Sequence, residues 1–300
     1  MEGGASMSSG APLCGLDDRG RTALRSHASA LVGGSCRVDD LAAAPSRRTR
    51  IDLWYVPLDH FSPAEQADCL QLLSREERQR HESFKAESAR QQYLAARGLV
   101  RTSLSRYRDI APRDWRFATN RYGRPFIEAS HGVTGLHFSL SHTHGMVVCA
   151  VGGVAELGVD VEHRARAGPV DDLAKSVLAP PEQARFDALA DDRRGAFFFT
   201  LWTLKEAYLK ARGLGMSLPV EGVWFDVDGV QPAVHFTNAI ADDPWRWTFR
   251  SRQLMGYALG IAVSTSVEPD LVLRRAQPIN LPSRGERGQA ASGDGEGQKR

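Results

Sequence analysis

The sequence predicts an α+β protein made of two similar halves in one chain. Three observations carry that expectation. A strand, then helices, then short strands are expected twice, each time over roughly one hundred residues. L-S-R-E-E-R-Q-R from Leu73 and L-A-P-P-E-Q-A-R from Leu178 share a local pattern at matching places in the two runs. Both chain ends are poor in apolar periodicity, which confines the folded body to residues 51–276. The division that follows is a disordered extension over 1–50, a first half over 51–154, a second half over 155–276 and a disordered tail over 277–300.

The elements follow from local chemistry. Ile51 to Val56 is expected as the first strand. S-P-A-E from Ser62 is a capping box with Pro at the first helical position. S-R-E-E from Ser74 is a second box and opens a long helical stretch with Phe84, Tyr93, Leu94, Leu99 and Leu104 on its buried face. Short strands are expected at Trp115–Ala118, Phe126–Ile127, Leu136–Ser141 and Met146–Val151, with a turn at Asn120-Arg121-Tyr122-Gly123. The second run begins with a strand at Glu156–Glu162. A helix opens at Pro180-Pro181-Glu182, and an apolar helix spans Phe197–Ala211, closed by Gly213 and Gly215. Strands are expected at Val223–Val227, Val234–Phe236, Trp245–Arg250 and Tyr257–Val263.

Composition excludes several classes. Of 300 residues, 42% are hydrophobic and 25% charged, and the net charge is +2, so no global field draws the chain to nucleic acid or membrane. The four cysteines, Cys14, Cys36, Cys69 and Cys149, form no C-x-x-C pair, which argues against a zinc site or a disulfide framework and for reduced thiols in the cytoplasm. Met146–Val154 is the longest apolar run and is too short to span a bilayer. No basic segment followed by an apolar stretch marks a signal peptide.

Two stretches carry chemistry. In G-V-D-V-E, Gly158 to Glu162, a strand puts Asp160 and Glu162 on one face and Val159 and Val161 on the other. Two carboxylates held together repel unless a cation or proton joins them. Their hard oxygens suit magnesium, which keeps other positions for water and phosphate. The plainer alternative is a strand edge with a solvated acidic face. In W-T-L-K-E-A-Y-L-K, Trp202 to Lys210, Glu206 and Lys210 stand one helical turn apart. On a polar helix that is a surface ion pair. Here F-F-F-T-L-W precedes it, and charges on an apolar helix need partners such as an anionic substrate with a metal. F-S-L-S-H-T-H-G, Phe138 to Gly145, ends a strand with Ser141 and His142, whose adjacent side chains point apart and make no hydrolytic dyad. Y-G-R-P, Tyr122 to Pro125, offers an arginine on a turn.

Taken together, and in this order, G-R-P-F-I, F-S-L-S-H-T-H-G, G-V-D-V-E and W-T-L-K-E-A-Y-L-K-A-R-G resemble the motifs of the 4'-phosphopantetheinyl transferases of the Sfp type. The resemblance covers roughly Leu53 to Val263. L-S-x-E-E-x-x-R and R-x-x-Y-L-A-A-R, Leu73–Arg80 and Arg90–Arg97, fit the first-half helix of that family.

That resemblance implies two α/β subdomains in pseudo-twofold arrangement with the active site in the cleft between them. It implies transfer of the phosphopantetheine arm of coenzyme A to a serine of an acyl or peptidyl carrier protein, with release of 3',5'-ADP. Asp160, Glu162 and Glu206 match the acidic residues that gather Mg2+. Glu206 matches the base for the carrier serine, and Lys205 and Lys210 match lysines on the diphosphate and reacting phosphate. His142, with Ser141 beside it, matches a coenzyme A phosphate contact. Arg124 matches a basic position near the adenosine. Arg80 fits a basic position near the 3'-phosphate, although Glu77 stands where some relatives carry lysine. The two-halved pattern implies a cytoplasmic monomer serving polyketide or nonribosomal peptide synthases, with no nucleic acid or membrane partner. Acidic carriers call for a basic and apolar docking patch, with Val170–Leu189 and a helix after Gly213 as candidates by analogy with the family. Two other classes stay open on the residues alone. One is a magnesium-dependent nuclease or phosphohydrolase using Asp160, Glu162 and Lys205. The other is a non-catalytic carrier-binding module.

Overall fold

A computed structural model describes residues 49–164 and 170–276. The first run comprises β1 (Arg50–Pro57), α1 (Pro63–Leu72), α2 (Arg75–Ser83), α3 (Glu87–Leu104), β2 (Phe117–Thr119), β3 (Pro125–Ile127), β4 (His137–Thr143) and β5 (Met146–Gly152). The second comprises β6 (Leu157–His163), α4 (Asp171–Val177), α5 (Pro180–Asp187), α6 (Asp191–Arg212), β7 (Val223–Asp226), β8 (Ala233–Phe236), β9 (Trp247–Leu254) and β10 (Tyr257–Ser264). Strand, three helices and two hairpins therefore occur twice. The pairing repeats too: β1 lies antiparallel to β5 and β5 to β4, as β6 lies antiparallel to β10 and β10 to β9.

One strand departs from the repeat. β11 (Asp270–Arg275) follows the second run but pairs parallel to β1. Its Arg274 Nε donates to Asp52 Oδ1 at 2.9 Å, and the buried Asp52 also accepts the Tyr107 hydroxyl at 2.7 Å. The described residues belong to one compact unit. Its central core joins Ile51, Leu53 and Val148 of the first sheet to Val159, Val161 and Ile261 of the second. Outer cores lie under α3 and α6.

Several expectations shift. The long stretch from Ser74 is two helices, broken at Phe84, where the Phe84 ring turns onto Tyr93 at 5.4 Å and its carbonyl accepts Arg90 Nη1 at 3.0 Å. α6 begins six residues before Phe197, in polar turns that carry no apolar period. β9 starts at Trp247 because Pro244–Arg246 makes a 3-10 turn capped by Asp243. β11 carries no strand expectation from sequence. Residues 1–48 and 277–300, for which disorder is expected, lie outside the described residues.

The shared L-S-R-E-E and L-A-P-P-E pattern has a structural cause. Glu77 reaches back to the N–H of Ser74 at 3.0 Å, and Glu182 to the N–H of Ala179 at 2.9 Å. Each then holds a buried cation of the following helix: Glu77 pairs with Arg101 at 2.6 Å, and Glu182 with Lys205 at 2.7 Å. Each cation also donates to backbone carbonyls, Arg101 to Trp115 and Lys205 to Val177, Val220 and Val223. The duplicated motif is a strut that fixes the longest helix of each half.

α6 lies close on the second sheet because two glycines make room. A Cβ on Gly158 would enter the van der Waals shell of the Ala207 carbonyl oxygen, and one on Gly260 that of the Thr203 carbonyl. Gly260 stands directly beside Asp160 in the β6–β10 register. Backbone cannot swing aside as a flexible side chain can, so Gly158→Ala is expected to destabilise the fold by about 3 kcal/mol, read as a lowered midpoint in urea unfolding. A midpoint equal to that of the unsubstituted protein would show that α6 does not depend on this close approach.

Candidate active site

The site forms where α6, β6 and β4 meet. β6 alternates as the sequence predicts: Leu157, Val159 and Val161 enter the central core, while Gly158, Asp160 and Glu162 face α6. Glu206 and Lys210 lie one turn apart on α6 and line a cavity of about 240 Å³ with Tyr122, Arg124, Phe138 and Leu140. The Lys210 ammonium reaches Asp160 Oδ1 at 2.6 Å and Ser141 Oγ at 2.7 Å. Two of its three donors are thereby used, and the third is available to an anion in the cavity.

The electrostatics mark Glu206. Its carboxyl is pushed up to about 7, first by burial, then by the charge of Asp160 and to a lesser degree that of Glu162, while Lys210 opposes the rise. Asp160 Oδ2 is buried and has no hydrogen-bond partner. The His142 imidazole is held below its usual range by the surrounding protein and then by the Lys210 cation, with Asp160 opposing. Neutral at pH 7, it offers one donor and one acceptor.

The acidic trio fits a hard divalent cation in donor chemistry. An orphaned buried carboxylate oxygen, and a carboxyl whose proton is retained first by burial and then by neighbouring negative charge, are both eased by a cation. The coordination is not closed: among the described residues no three His, Cys, Asp or Glu side chains are drawn together as a metal cluster. The Lys210 ammonium stands beside Asp160 instead.

Four expectations need correction or refinement. Lys205 does not face the cavity. It is fully buried on another side of α6, and Glu182 and three carbonyls saturate its ammonium, so it has no donor left for a diphosphate. Burial lowers its proton affinity, and Glu182 opposes that. The physical reason is helical rotation: one residue from Glu206 is a turn of about 100°. Ser141 is likewise withdrawn from any ligand, being 4% exposed and engaged by Asp160 and Lys210. Arg124 lines the cavity, but its Nη1 donates to the Ala211 carbonyl at 2.6 Å and its Nη2 to the carbonyls of Ala155 and Leu157. With Asn120 Nδ2 on the Gly213 carbonyl at 2.6 Å, it caps the end of α6, which Gly213 closes in the left-handed region at φ 63°. Arg80 stands on α2 over the Phe84 ring and makes no hydrogen bond or ion pair with the residues above.

Sequence reasoning missed two members of the site. Thr143 donates to Glu162 Oε2 at 2.8 Å, and Ser139 Oγ accepts the Val159 N–H at 3.1 Å. Their signal was present as hydroxyls at every second position of S-L-S-H-T.

Comparison with known proteins identifies the family. A family model described as the 4'-phosphopantetheinyl transferase superfamily matches residues 156–262. A second, described as 4'-phosphopantetheinyl transferase, N-terminal, matches residues 60–153. The chain is 32% identical over 167 residues to 4'-phosphopantetheinyl transferase HetI of Nostoc sp., covering 56% of this chain and 70% of that protein. It is 32% identical over 162 residues to 4'-phosphopantetheinyl transferase Sfp of Bacillus subtilis, covering 50% and 69%. A solved holo-[acyl-carrier-protein] synthase of Thermotoga maritima aligns at 21% identity and TM-score 0.31 over 38% of this chain and 65% of its own.

Proposed function

The chain belongs to the 4'-phosphopantetheinyl transferase superfamily, enzymes that move phosphopantetheine from coenzyme A to carrier proteins, and from that premise we propose how its own residues carry the transfer. The observation that carries the proposal is that Glu206 and Lys210 line one cavity while Lys210 also holds the buried Asp160, with the Glu206 carboxyl raised to about 7.

The diphosphate of coenzyme A enters beside Lys210, whose remaining N–H neutralises a phosphate oxygen, and His142 donates to a second. Asp160, Glu162 and Glu206 would hold Mg2+, which when bound supplies charge stabilisation at the phosphate oxygens. Glu206 takes the proton of the carrier serine as the serine oxygen bonds to phosphorus and the diphosphate P–O bond breaks, releasing 3',5'-ADP; as a carboxylate it is suited to accept that proton. Positioning of the two reactants and fixed charge contribute most of the rate. Arg124 and Asn120 keep the end of α6 in register with the first half.

A single chain supplies both sides of the site, β4 from the first half and β6 and α6 from the second, which supports a monomer. We extend the proposal to carrier domains of polyketide or nonribosomal peptide synthases as clients, on the two-halved organisation. No helix among the described residues is long and apolar enough to cross a membrane.

The test is intact-mass spectrometry of an apo carrier protein incubated with this protein, coenzyme A and Mg2+, with a chelator control. A mass gain of one phosphopantetheine that the chelator prevents is the expected result. A gain unaffected by the chelator would overturn the metal assignment, and no gain with no coenzyme A binding would overturn the site.

The corrected role of Lys205 gives a separate expectation. Lys205→Met leaves Glu182 charged and buried without its partner and is expected to cost about 3–5 kcal/mol of stability. Coenzyme A affinity of the folded variant should be unchanged. Adding Glu182→Gln should restore part of the lost stability. Weakened coenzyme A binding in a fully folded Lys205→Met variant would return Lys205 to the diphosphate.

A further inference from the structure

β4 is an edge strand of the first sheet and β6 an edge strand of the second, and no backbone ladder joins them. Side-chain hydroxyls stand in that seam. Ser139, Ser141 and Thr143 lie at alternate positions of β4 and so share one face. Each reaches β6: Ser139 Oγ accepts the Val159 N–H at 3.1 Å, Ser141 Oγ donates to Asp160 Oδ1 at 2.7 Å, and Thr143 Oγ1 donates to Glu162 Oε2 at 2.8 Å.

The three bonds are chemically unequal. Ser139 lines the cavity but bonds only backbone of β6 and no carboxylate. Ser141 and Thr143 each hold one oxygen of a carboxylate assigned to the metal. For Asp160 the outcome is explicit: Oδ1 is engaged by Ser141 and Lys210, and Oδ2 is the buried oxygen without a partner. A hydroxyl that pins one oxygen fixes the rotation of the carboxylate and hence the direction of the other. Hydrogen-bonded partners of carboxylate ligands tune metal affinity in this way, typically by about 10–100-fold.

We propose that Ser141 and Thr143 are positioning residues through which the first half of the chain aims the two acidic metal ligands of the second, so that metal affinity depends on the fit between halves. The inference rests on the metal reading above. It also gives Ser141 a role other than contact with coenzyme A.

The test is direct Mn2+ binding to the full chain with coenzyme A present, by calorimetry, together with thermal unfolding. Ser141→Ala and Thr143→Val should each weaken Mn2+ binding by about 10–100-fold. Thr143→Ser, which keeps the hydroxyl, should stay within about twofold, as should Ser139→Ala, which breaks the same seam without touching a carboxylate. Ser141→Cys, similar in size and a poor donor, replaces Ser141→Ala if that variant does not fold. Unchanged Mn2+ affinity in the Ser141 and Thr143 variants, with unfolding temperatures lowered as in Ser139→Ala, would reduce the hydroxyls to structural bonds and overturn the proposal. Weakened coenzyme A binding with unchanged Mn2+ binding in the Ser141 variant would overturn it in favour of a cofactor contact. If the unsubstituted protein binds no Mn2+, the metal reading itself falls, and that outcome is distinct from the other two.

Discussion

Glu206→Gln is expected to lower kcat for carrier modification by about 10²–10⁴-fold while coenzyme A affinity changes by less than about tenfold. The substitution keeps the shape of the side chain on α6 and removes its charge and its capacity to take a proton. Glu206 lines the cavity beside Lys210, and its carboxyl is the member of the trio raised to about 7. That value belongs to the metal-free protein; a bound cation favours the ionised form, which is the form that draws a serine proton as the phosphorus is attacked. Binding should survive because the diphosphate meets Lys210 and His142, which the substitution leaves in place. Stopped-flow or mass-resolved single-turnover kinetics with coenzyme A titration checks the split. Equal losses in kcat and in coenzyme A affinity would make Glu206 a binding residue.

The same group sets a pH dependence of stability. Its folded proton affinity is raised above the usual carboxylate value, so between about 4.5 and 7 the native state binds more protons than the unfolded chain. Stability from this group is fully present below that window and is lost as pH rises through about 7. In metal-free protein Glu206→Gln removes the loss. After allowance for solvent screening, the variant should exceed the unsubstituted protein by about 1–3 kcal/mol at pH 8 and by little at pH 4.5. Mg2+ should raise the melting temperature of the unsubstituted protein at pH 8 more than that of the variant. A variant less stable than its parent at pH 8 under chelation would show that the acidic cluster does not strain the fold.

How much of this was legible in the sequence depends on the range of each interaction. Period-2 alternation in G-V-D-V-E placed Asp160 and Glu162 on one face, and the structure agrees because alternation is local. The i,i+4 relation of Glu206 and Lys210 was legible for the same reason. Lys205 was misread because its partners are distant: Glu182 lies on another helix, and the three carbonyls come from segments before and after α6. Next to Glu206 in the chain, Lys205 is separated from it only by helical rotation, which matters once the packing of α6 is known. Yet the strut had left a trace in the sequence, since Glu77 and Glu182 fall at matching places in the two repeated segments. β4 was expected to stop at Ser141, which hid Thr143, and it continues because two more residues pair with β5. β11 was invisible because its partner, β1, lies more than two hundred residues away and its own exposure gives no clean alternation.

Lys210→Met is expected to lower kcat by about 10²–10³-fold and, unlike Glu206→Gln, to weaken coenzyme A binding as well. The ammonium is 2.6 Å from Asp160 and 2.7 Å from Ser141, and its side chain is 31% exposed to the cavity. Removing it takes away the cation that meets the diphosphate and leaves Asp160 ionised and poorly solvated. Two titrations should then move in a direction that a loss of binding alone would not produce. Lys210 is the group that holds the Glu206 carboxyl down, so the acid limb of the residual rate should shift to higher pH. After the surrounding protein, Lys210 is also the main influence holding His142 below its usual range, so the His142 imidazole should titrate higher, as read by NMR. In metal-free protein at pH 8 this variant should be less stable than its parent, the opposite of Glu206→Gln, because one substitution removes the cation among three carboxylates and the other removes a carboxylate. If Lys210→Met keeps its kcat and its coenzyme A affinity while stability falls, the lysine neutralises Asp160 and takes no part in transfer.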